Sequence, residues 1–471
     1  MNILKNIVRV GLIVTALSFN LVSCDYLDVV PPEQAGLQDA TKTRKSTLGF
    51  LFTCYAGLQE DDSPIGHTSA LNGSTDEFAL PIEWRNDSGA FWDDYAYNLV
   101  SAANPDGLWG NYYKYIGQCY LFLRQVENNP GETLLQEWLP GEKEQWLAEA
   151  HFLIAYYHFA LLRKYGPIPV VTEYVPQSTP SSDFGGRYHY DYCVNWIAYQ
   201  LDLAAQNLPT REGTEWGRAT STMAKALKAR VLMYAASPLW NGQFPFSSWK
   251  NKVNTPGDKD FFVGDDAKYK ESIGRDDYGI ELVSSSYNEK KWERAMEACQ
   301  KALDFALNEG GCRLYGTEAS DMTLYQTELG NNDKWLPYVP GKEDNNIQEN
   351  REFKERVMML RYMVASRYPH NKELIWGLTG KNINSRIQGR IPAHIFQTGN
   401  KTSWAGGFSA ISPTLYTIEH FYTEDGVLPE EAASTGDFAS RAEWFQKAGI
   451  AGNNREDIIK LCVNREPRFY A

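Results

Sequence analysis

The segment at residues 82–98, IEWRNDSGAFWDDYAYN, combines flat aromatic rings with planar hydrogen-bonding groups. A pyranose packs an apolar C–H face on an aromatic ring, while its hydroxyls need polar partners such as guanidinium and amide groups. The mixture therefore predicts a sugar-binding platform, and the alternative interpretation is that the rings anchor this loop to its scaffold. The predicted rings are Trp84, Trp92, Tyr95 and Tyr97, with Arg85, Asn86 and Asn98 as polar partners.

Three aromatic residues in other segments are candidates to complete that platform. Trp335 and Tyr338 occur in DKWLPYVP, and Trp404 occurs in NKTSWAGG. The chain holds 14 Trp, 28 Tyr and 21 Phe, which makes aromatic surface its strongest chemical signal.

Groups that typically carry catalysis or bind metals are poorly arranged. His151 and His158 lie seven residues apart on one predicted helix, ~10.5 Å by the helical rise, too far to share one zinc ion. We interpret them as packed core residues. The sequence has no H-E-x-x-H, Walker, G-x-G-x-x-G or G-x-S-x-G motif. We therefore expect no catalytic residue, no metal and no cofactor.

Adjacent carboxylates are the one pattern compatible with an enzyme, because glycoside hydrolysis uses two carboxyl groups ~5 to ~9.5 Å apart. With 59 acidic residues such pairs arise by chance, and we interpret each as a solvated turn. The pairs are Asp93-Asp94, Asp265-Asp266 and Asp276-Asp277.

The first 24 residues, MNILKNIVRVGLIVTALSFNLVSC, have the pattern of an export signal. Lys5 and Arg9 provide a basic start, an apolar run follows, and the small Ser23 precedes Cys24. The run is short for a bilayer span, which needs ~20 apolar residues. LVSC resembles the lipobox of bacterial lipoproteins, which implies cleavage after residue 23 and acylation of Cys24. The alternative is an ordinary signal peptide with an incidental cysteine.

The other six cysteines are scattered, and their spacing indicates neither a zinc site nor a disulfide framework. Four lie in apolar helical patterns, where buried free thiols are the usual case. The formal charge of −13 and the pI near 5.2 disfavour nucleic acid, since binding to phosphate requires clustered Lys and Arg.

Helical periodicity dominates the first two thirds of the chain. Residues 289–309 place Trp292, Ala295, Cys299, Ala302, Leu303 and Ala306 on one stripe. Residues 142–165 are apolar on nearly every side, and 222–237 are rich in alanine, which allows close helix packing. Weaker helical patterns cover 44–59, 106–127, 188–207 and 352–366. Helices of this kind predict tetratricopeptide-like packing without a clean repeat, and an irregular helical domain is the alternative.

Long segments rich in aromatic residues, Gly, Asn and Asp separate these helices, and we predict them to be loops of functional importance. They cover residues 61–104, 240–288, 310–350 and 377–440.

Several segments, in order along the chain, resemble the SusD/RagB family of surface nutrient-binding lipoproteins. They are SCDYLDVVPPEQ at 23–34, WLAEAHFLIAYYHFALLRKYGPIPVV at 146–171, ALKARVLMYAASPLWNG at 226–242, the Trp292 helix, KELIWG at 372–377, FYTEDG at 421–426 and NREPRFYA at 464–471.

The resemblance implies a mainly α, tetratricopeptide-like scaffold carrying long binding loops, in a protein that is not an enzyme. It implies an outer-membrane lipoprotein facing the cell exterior that binds glycan and passes it to a SusC-type TonB-dependent transporter. The loop between the first two helices contributes to the glycan site in this family, which favours Trp84 and Trp92. A surface glycan-degrading enzyme and a helical-repeat interaction scaffold are the alternatives.

The resulting organisation is a signal peptide at 1–23, a lipidated tether at 24–40 and a SusD-like helical domain at 41–471 that contains the four loops. Relatives usually continue well beyond the R-E-P-R-F element, whereas this chain stops at Ala471. The resemblance therefore predicts that a C-terminal part of the fold is missing.

Overall fold

The computed structural model describes residues 36–58, 75–79, 101, 107–180, 183, 185–246, 249–318, 320–321, 336–365, 371–378, 412–450 and 458–471. The helices of these residues are α1 Arg44–Tyr55, α2 Leu108–Asn128, α3 Glu132–Glu137, α4 Glu142–Tyr165, α5 Tyr190–Asn207, α6 Ser221–Ala236, α7 Lys270–Ile273, α8 Glu289–Asn308, α9 Gln348–Ala365, α10 Leu415–Glu419, α11 Pro429–Thr435 and α12 Pro467–Tyr470. The strands are β1 Phe78–Ala79, β2 Lys250–Pro256, β3 Asp277–Glu281 and β4 Ser412–Pro413.

Six long helices form one array that follows the order of the chain. Helix α1 packs on α2, α2 on α4, α4 on α5, α5 on α6, and α6 on α8. Each helix thus buries its apolar face against the next one, as in helical-repeat proteins. The mainly α, tetratricopeptide-like fold predicted from the sequence is confirmed, and so are all seven predicted helical segments.

Local signals fix where these helices begin and end. The side chain of Thr43 accepts a hydrogen bond from the Ser46 amide at the start of α1, and Thr220 accepts one from the Met223 amide at the start of α6. Helix α4 ends at Gly166, whose φ of 67° is readily adopted only by glycine. Hydroxyl N-caps and a C-terminal glycine are the expected boundaries for helices.

The core is centred on α4, which is buried along most of its length between α2 and α5. In α6, the alanines at 224, 229, 235 and 236 are buried, in line with their predicted packing role. Small side chains at these positions let α5 and α8 approach closely.

The predicted apolar stripe of α8 is only partly correct. Ala295, Ala302 and Ala306 are buried against the array, but Trp292 and Leu303 are 38% and 53% exposed. Lys291 and Arg294 take the buried positions instead and pair there with carboxylates, as described below. Helix α8 is therefore rotated relative to the prediction, and the side of the predicted stripe that carries Trp292 and Leu303 is exposed.

Three of the predicted loops contain strands, and one of these strands is β1, within 61–104. Strands β2 and β3 pair antiparallel within 240–288, next to the short α7. Strand β4 and helices α10 and α11 lie within 377–440, and β4 pairs antiparallel with β1. In the part of the chain that the structure describes, no helix is long and apolar enough to cross a membrane.

Candidate functional site

An open cleft of about 460 Å³ lies where the segment before β1 meets α10. Its size is within the range of ligand-binding clefts. The described residues that line it are Thr75, Asp76, Glu77, Tyr416, Thr417, His420, Phe421 and Arg468.

Helix α10 forms one wall of this cleft, and its first turn is tied to the opposite wall. Thr414 caps the helix by accepting a hydrogen bond from the Thr417 amide at 3.1 Å. The Thr417 hydroxyl contacts the carbonyl oxygens of Asp76 and Glu77 at 2.8 and 2.9 Å, and the Thr414 hydroxyl donates to the Asp76 carbonyl. These contacts hold the walls together without using the side chains of Asp76 and Glu77.

Tyr416 on α10 and His420, the residue directly after this helix, present paired rings one helical turn apart. Their centroids are 4.0 Å apart with 35° between the ring planes, and His420 Nδ1 lies 2.7 Å from the Tyr416 carbonyl oxygen. The contact with that carbonyl assigns the proton to Nδ1 in the neutral ring. Tyr416 is 54% exposed and thus offers an aromatic surface to a ligand in the cleft.

Arg468 is the cation of the cleft, and Glu466 orients it. Its Nε and one Nη donate to the two Glu466 carboxylate oxygens at 2.7 and 2.8 Å, a bidentate geometry. The bond to Glu466 raises the pKa of Arg468. Burial alone would raise the pKa of Glu466, but the bonds from Arg468 and from the Tyr422 amide lower it. A fixed guanidinium beside exposed rings suits the recognition of hydroxyl groups.

Arg465 supports the cleft from behind. It is fully buried, and its guanidinium donates to the carbonyl oxygens of Ile418 at 2.6 Å and Phe421 at 2.7 Å. Further bonds reach the carbonyls of Leu461 at 3.0 Å and Tyr422 at 3.3 Å. Burial lowers the pKa of Arg465, but an arginine remains charged at neutral pH. This side chain therefore holds the end of α10 in place.

Strand pairing places the attachment points of two predicted binding segments together. Ala79 is opposite Ser412, and Phe78 is opposite Pro413, in an antiparallel register. The chain that follows Ala79 and the chain that precedes Ser412 are therefore attached at the same end of this ladder. Trp84 follows Ala79 by five residues, and Trp404 precedes Ser412 by eight.

Tyr338 is the one predicted glycan-binding residue that lies within the described residues. Tyr338 is half-buried, and its hydroxyl donates to Glu343 Oε1 at 3.3 Å. Its segment contacts the turn after α10 through the Lys342–Glu424 ion pair at 2.7 Å, but Tyr338 is not among the described residues that line the cleft. Cys24, Trp84, Arg85, Trp92, Tyr95, Asn98, Trp335 and Trp404 lie outside the described residues.

The histidines of α4 are packed, as predicted. His158 is fully buried, its Nδ1 lies 2.8 Å from the Ile154 carbonyl oxygen, and its Nε2 accepts from the Val171 amide at 3.1 Å. His151 Nδ1 lies 2.8 Å from Gln200 Oε1. Among the described residues, no group of three or more His, Cys, Asp and Glu side chains is arranged to hold a metal ion.

One predicted carboxylate pair is not a solvated turn. Asp265 is exposed and pairs with Lys301 at 2.8 Å, but Asp266 is buried and pairs with Arg294 at 2.5 Å and Lys228 at 3.0 Å. Burial alone would raise the pKa of Asp266, and the two cations lower it. These ion pairs line a second cleft, of about 230 Å³, between α6 and α8. Because its charges are already paired, we interpret it as structural.

Reasoning from the sequence missed Tyr416, His420, Arg465 and Arg468. A signal for the first two was present, since two ring-bearing polar residues four apart share a helix face. The two arginines occur in NREPRFYA, one of the segments that carry the family resemblance.

Two family models match this chain. A model described as starch-binding, associating with the outer membrane, matches residues 25–233, and the model of the SusD family matches residues 372–471. A search of curated proteins found no match.

Solved structures extend the likeness. A structure named BT4246 is 46% identical to this chain, with a TM-score of 0.75. The match covers 91% of this chain and 64% of the BT4246 chain. Its selenomethionine form gives a TM-score of 0.72, with 90% and 63% covered. A SusD-like protein (BF3747) from Bacteroides fragilis NCTC 9343 is 18% identical to this chain, with a TM-score of 0.54. The match covers 93% of this chain and 62% of the BF3747 chain, and it supports the fold alone. The chain thus spans less than two thirds of the length of these structures.

Proposed function

The chain belongs to the SusD/RagB family, and from this premise we propose that it is a surface lipoprotein that binds oligosaccharide and delivers it to a SusC-type TonB-dependent transporter. Cys24 carries the lipid in this proposal, and the protein faces the cell exterior from the outer membrane. No residue is assigned a catalytic role.

The observation that carries the proposal is the junction at the β1–β4 ladder. Trp84 follows Ala79 by five residues and Trp404 precedes Ser412 by eight, so both predicted binding segments are attached at this ladder. In this proposal both tryptophans contribute to the cleft that Tyr416 and His420 line. Aromatic surface from three segments, together with Arg468, matches the apolar faces and hydroxyl groups of a sugar.

Binding is tested with soluble protein starting at Asp25 and a panel of polysaccharides: amylopectin, dextran, xylan, laminarin, pectin and mucin glycans. Retention without release of reducing ends is the expected result. Release of reducing ends would support a glycan-degrading enzyme instead, and no retention on any member would contradict glycan binding.

The site is tested by calorimetry on an oligosaccharide of the best-bound polysaccharide. Trp84→Ala, Trp92→Ala and Tyr416→Ala should each weaken binding roughly 5- to 150-fold, since losing a stacked ring costs on the order of 1–3 kcal/mol. Tyr287→Ala is the matched control, because Tyr287 is 64% exposed and does not line the cleft. Wild-type affinity in all three variants would place the glycan elsewhere, with Trp335, Tyr338 and Trp404 as the next candidates.

Delivery to a transporter is tested by purification from native outer membranes in mild detergent. Two proteins anchored in one membrane have a high effective concentration, so a modest interface is sufficient. A TonB-dependent transporter should co-purify with the wild-type protein. Repeated recovery of the protein alone would contradict this part of the proposal.

A further inference from the structure

Two carboxylates in the wall of the cleft beside α10 have no partner of their own. Asp76 and Glu77 line this cleft, and both residues are exposed. The Thr417 hydroxyl contacts their backbone carbonyl oxygens at 2.8 and 2.9 Å. Neither carboxylate has a hydrogen bond or an ion pair with any residue that the structure describes. Their position is therefore fixed through the backbone, while both negative charges are available to a ligand.

Among the described residues that line the cleft, no unpaired cation offsets these two charges. Arg468 is the one arginine or lysine of this set. Its guanidinium donates to both carboxylate oxygens of Glu466, at 2.7 and 2.8 Å. Arg468 and Glu466 together are neutral, so Asp76 and Glu77 give this wall of the cleft a net negative charge.

The chemistry of a carboxylate restricts which sugars it recognises. An ionised carboxylate only accepts hydrogen bonds, and its two oxygens have room for several donors. Sugar hydroxyls supply such donors side by side on one ring. A uronate or sulfate group instead brings acceptors and a negative charge, and contacts between like charges are a common means of rejecting a wrong ligand.

We propose that Asp76 and Glu77 are specificity-determining residues that select uncharged glycans and exclude glycans carrying carboxylate or sulfate groups. The inference rests on the proposed function, because it concerns the ligand of the same cleft. The exposed ring of Tyr416 stacks on the apolar face of either kind of sugar. Discrimination between the two classes therefore depends on the carboxylates.

Repulsion in an exposed cleft should change affinity about tenfold, since a water-like dielectric weakens the interaction between charges. Salt should reduce this effect, because the screening length falls from ~30 Å at 0.01 M to ~3 Å at 1 M ionic strength. Stacking and hydrogen bonds to uncharged hydroxyls do not depend on ionic strength in this way. Salt dependence therefore distinguishes repulsion from a poor fit.

The test starts from the best-bound member of the polysaccharide panel. A neutral member such as amylopectin, dextran or laminarin should bind best. Stronger binding of pectin or of sialylated mucin glycans would overturn the inference and leave glycan binding intact. No retention of any member would instead contradict the proposed function itself.

The best-bound neutral polysaccharide is then substituted lightly, and to the same extent, with carboxymethyl or with hydroxyethyl groups, which differ in charge but little in size. Calorimetry at about pH 8, where an ordinary histidine is uncharged, should show the hydroxyethyl derivative binding about tenfold more tightly at low salt. At ~1 M salt the two affinities should agree within about twofold. Equal affinities at low salt, or a difference that salt does not reduce, would overturn the inference.

The double variant Asp76→Asn/Glu77→Gln removes both charges and keeps the shape of the side chains. The affinity for the hydroxyethyl derivative divided by that for the carboxymethyl derivative should fall from about ten to about one. A partial loss of folded protein leaves this ratio unchanged. The control Glu132→Gln/Glu144→Gln makes the same change of net charge at exposed positions that do not line the cleft, and should keep the wild-type ratio. A wild-type ratio in the cleft variant, or an equal fall in both variants, would overturn the assignment.

Calcium needs a separate measurement, because neighbouring carboxylates also attract this cation, which prefers oxygen ligands. The carboxymethyl derivative should bind the wild-type protein equally weakly with EDTA and with excess calcium. Tight binding that requires calcium would overturn the exclusion of acidic glycans and would make Asp76 and Glu77 cation ligands instead.

Discussion

Replacement of Arg465 should loosen the wall of the cleft while leaving the helical array intact. Arg465→Ala removes charged hydrogen bonds to four carbonyl oxygens, at 2.6, 2.7, 3.0 and 3.3 Å. Each such bond contributes about 1.5–3 kcal/mol, and these bonds act together rather than additively. We expect a local loss on the order of 4–6 kcal/mol. Arg465→Lys keeps the charge but loses the planar fork, and about half that loss is expected.

Hydrogen exchange measured by mass spectrometry reports this loss peptide by peptide. Peptides covering 415–422 should lose protection in both variants, with the larger loss in Arg465→Ala, while peptides from α4 should exchange as in wild type. Arg441→Ala is the matched control, because its side chain is 59% exposed and pairs with Glu419 at 2.6 Å. Exposed pairs contribute little, so this variant should stay within about 0.5 kcal/mol of wild type. Unchanged protection of 415–422 in Arg465→Ala would refute the role assigned to Arg465.

Three further predictions concern the scaffold and the anchor. Burial lowers the pKa of His158 from 6.5 to about 4, so the unfolded chain binds a proton that the folded chain excludes as the pH falls from 6.5 to 4. Over this window His158 should remove about 3 kcal/mol of the free energy of unfolding, and urea titrations of His158→Gln should show a correspondingly flatter pH dependence. Ala229→Phe should cost ~1–3 kcal/mol by overpacking the buried face of α6, whereas Met233→Phe, at an exposed position, should leave the urea midpoint unchanged. Cys24→Ser should abolish labelling by a clickable fatty acid, and equal labelling of both proteins would contradict lipidation.

The long helices were predictable because their signals are local. Apolar periodicity and caps such as Thr220 are contained within about 20 residues of sequence, and the structure places α6 and α8 within one residue of the predicted bounds. The orientation of α8 was not predictable in this way. The apolar residues of α8 span more of its surface than one partner helix can bury. The face that is buried is the one on which Lys291 pairs with Asp191 and Arg294 pairs with Asp266. Those carboxylates belong to other elements, and periodicity within α8 carries no information about them.

The carboxylate pair at 265–266 shows the same limit at the scale of one residue. Two neighbouring aspartates have identical chemistry in the sequence, yet one is exposed beside Lys301 and the other is buried between Arg294 and Lys228. The prediction that adjacent carboxylates form solvated turns is correct for Asp265 and wrong for Asp266. The difference arises because the turn before α7 packs against α6 and α8, and only the residue that points inward meets their cations.

The candidate site was the part least accessible from sequence, since it depends on a ladder of two-residue strands. Strands β1 and β4 are too short to show alternation, and Thr414 and Asp76, which join them, are 338 positions apart. The structure explains why an arginine is needed beside the end of α10. A cation surrounded by backbone carbonyls must present several donors in a fixed plane, which lysine cannot do. Arg465 in NREPRFYA therefore shapes the cleft, although its side chain does not line it. Replacing Arg465 should shift Tyr416 and His420 without removing either ring. Glycan binding should weaken for that reason, even though both rings are still present.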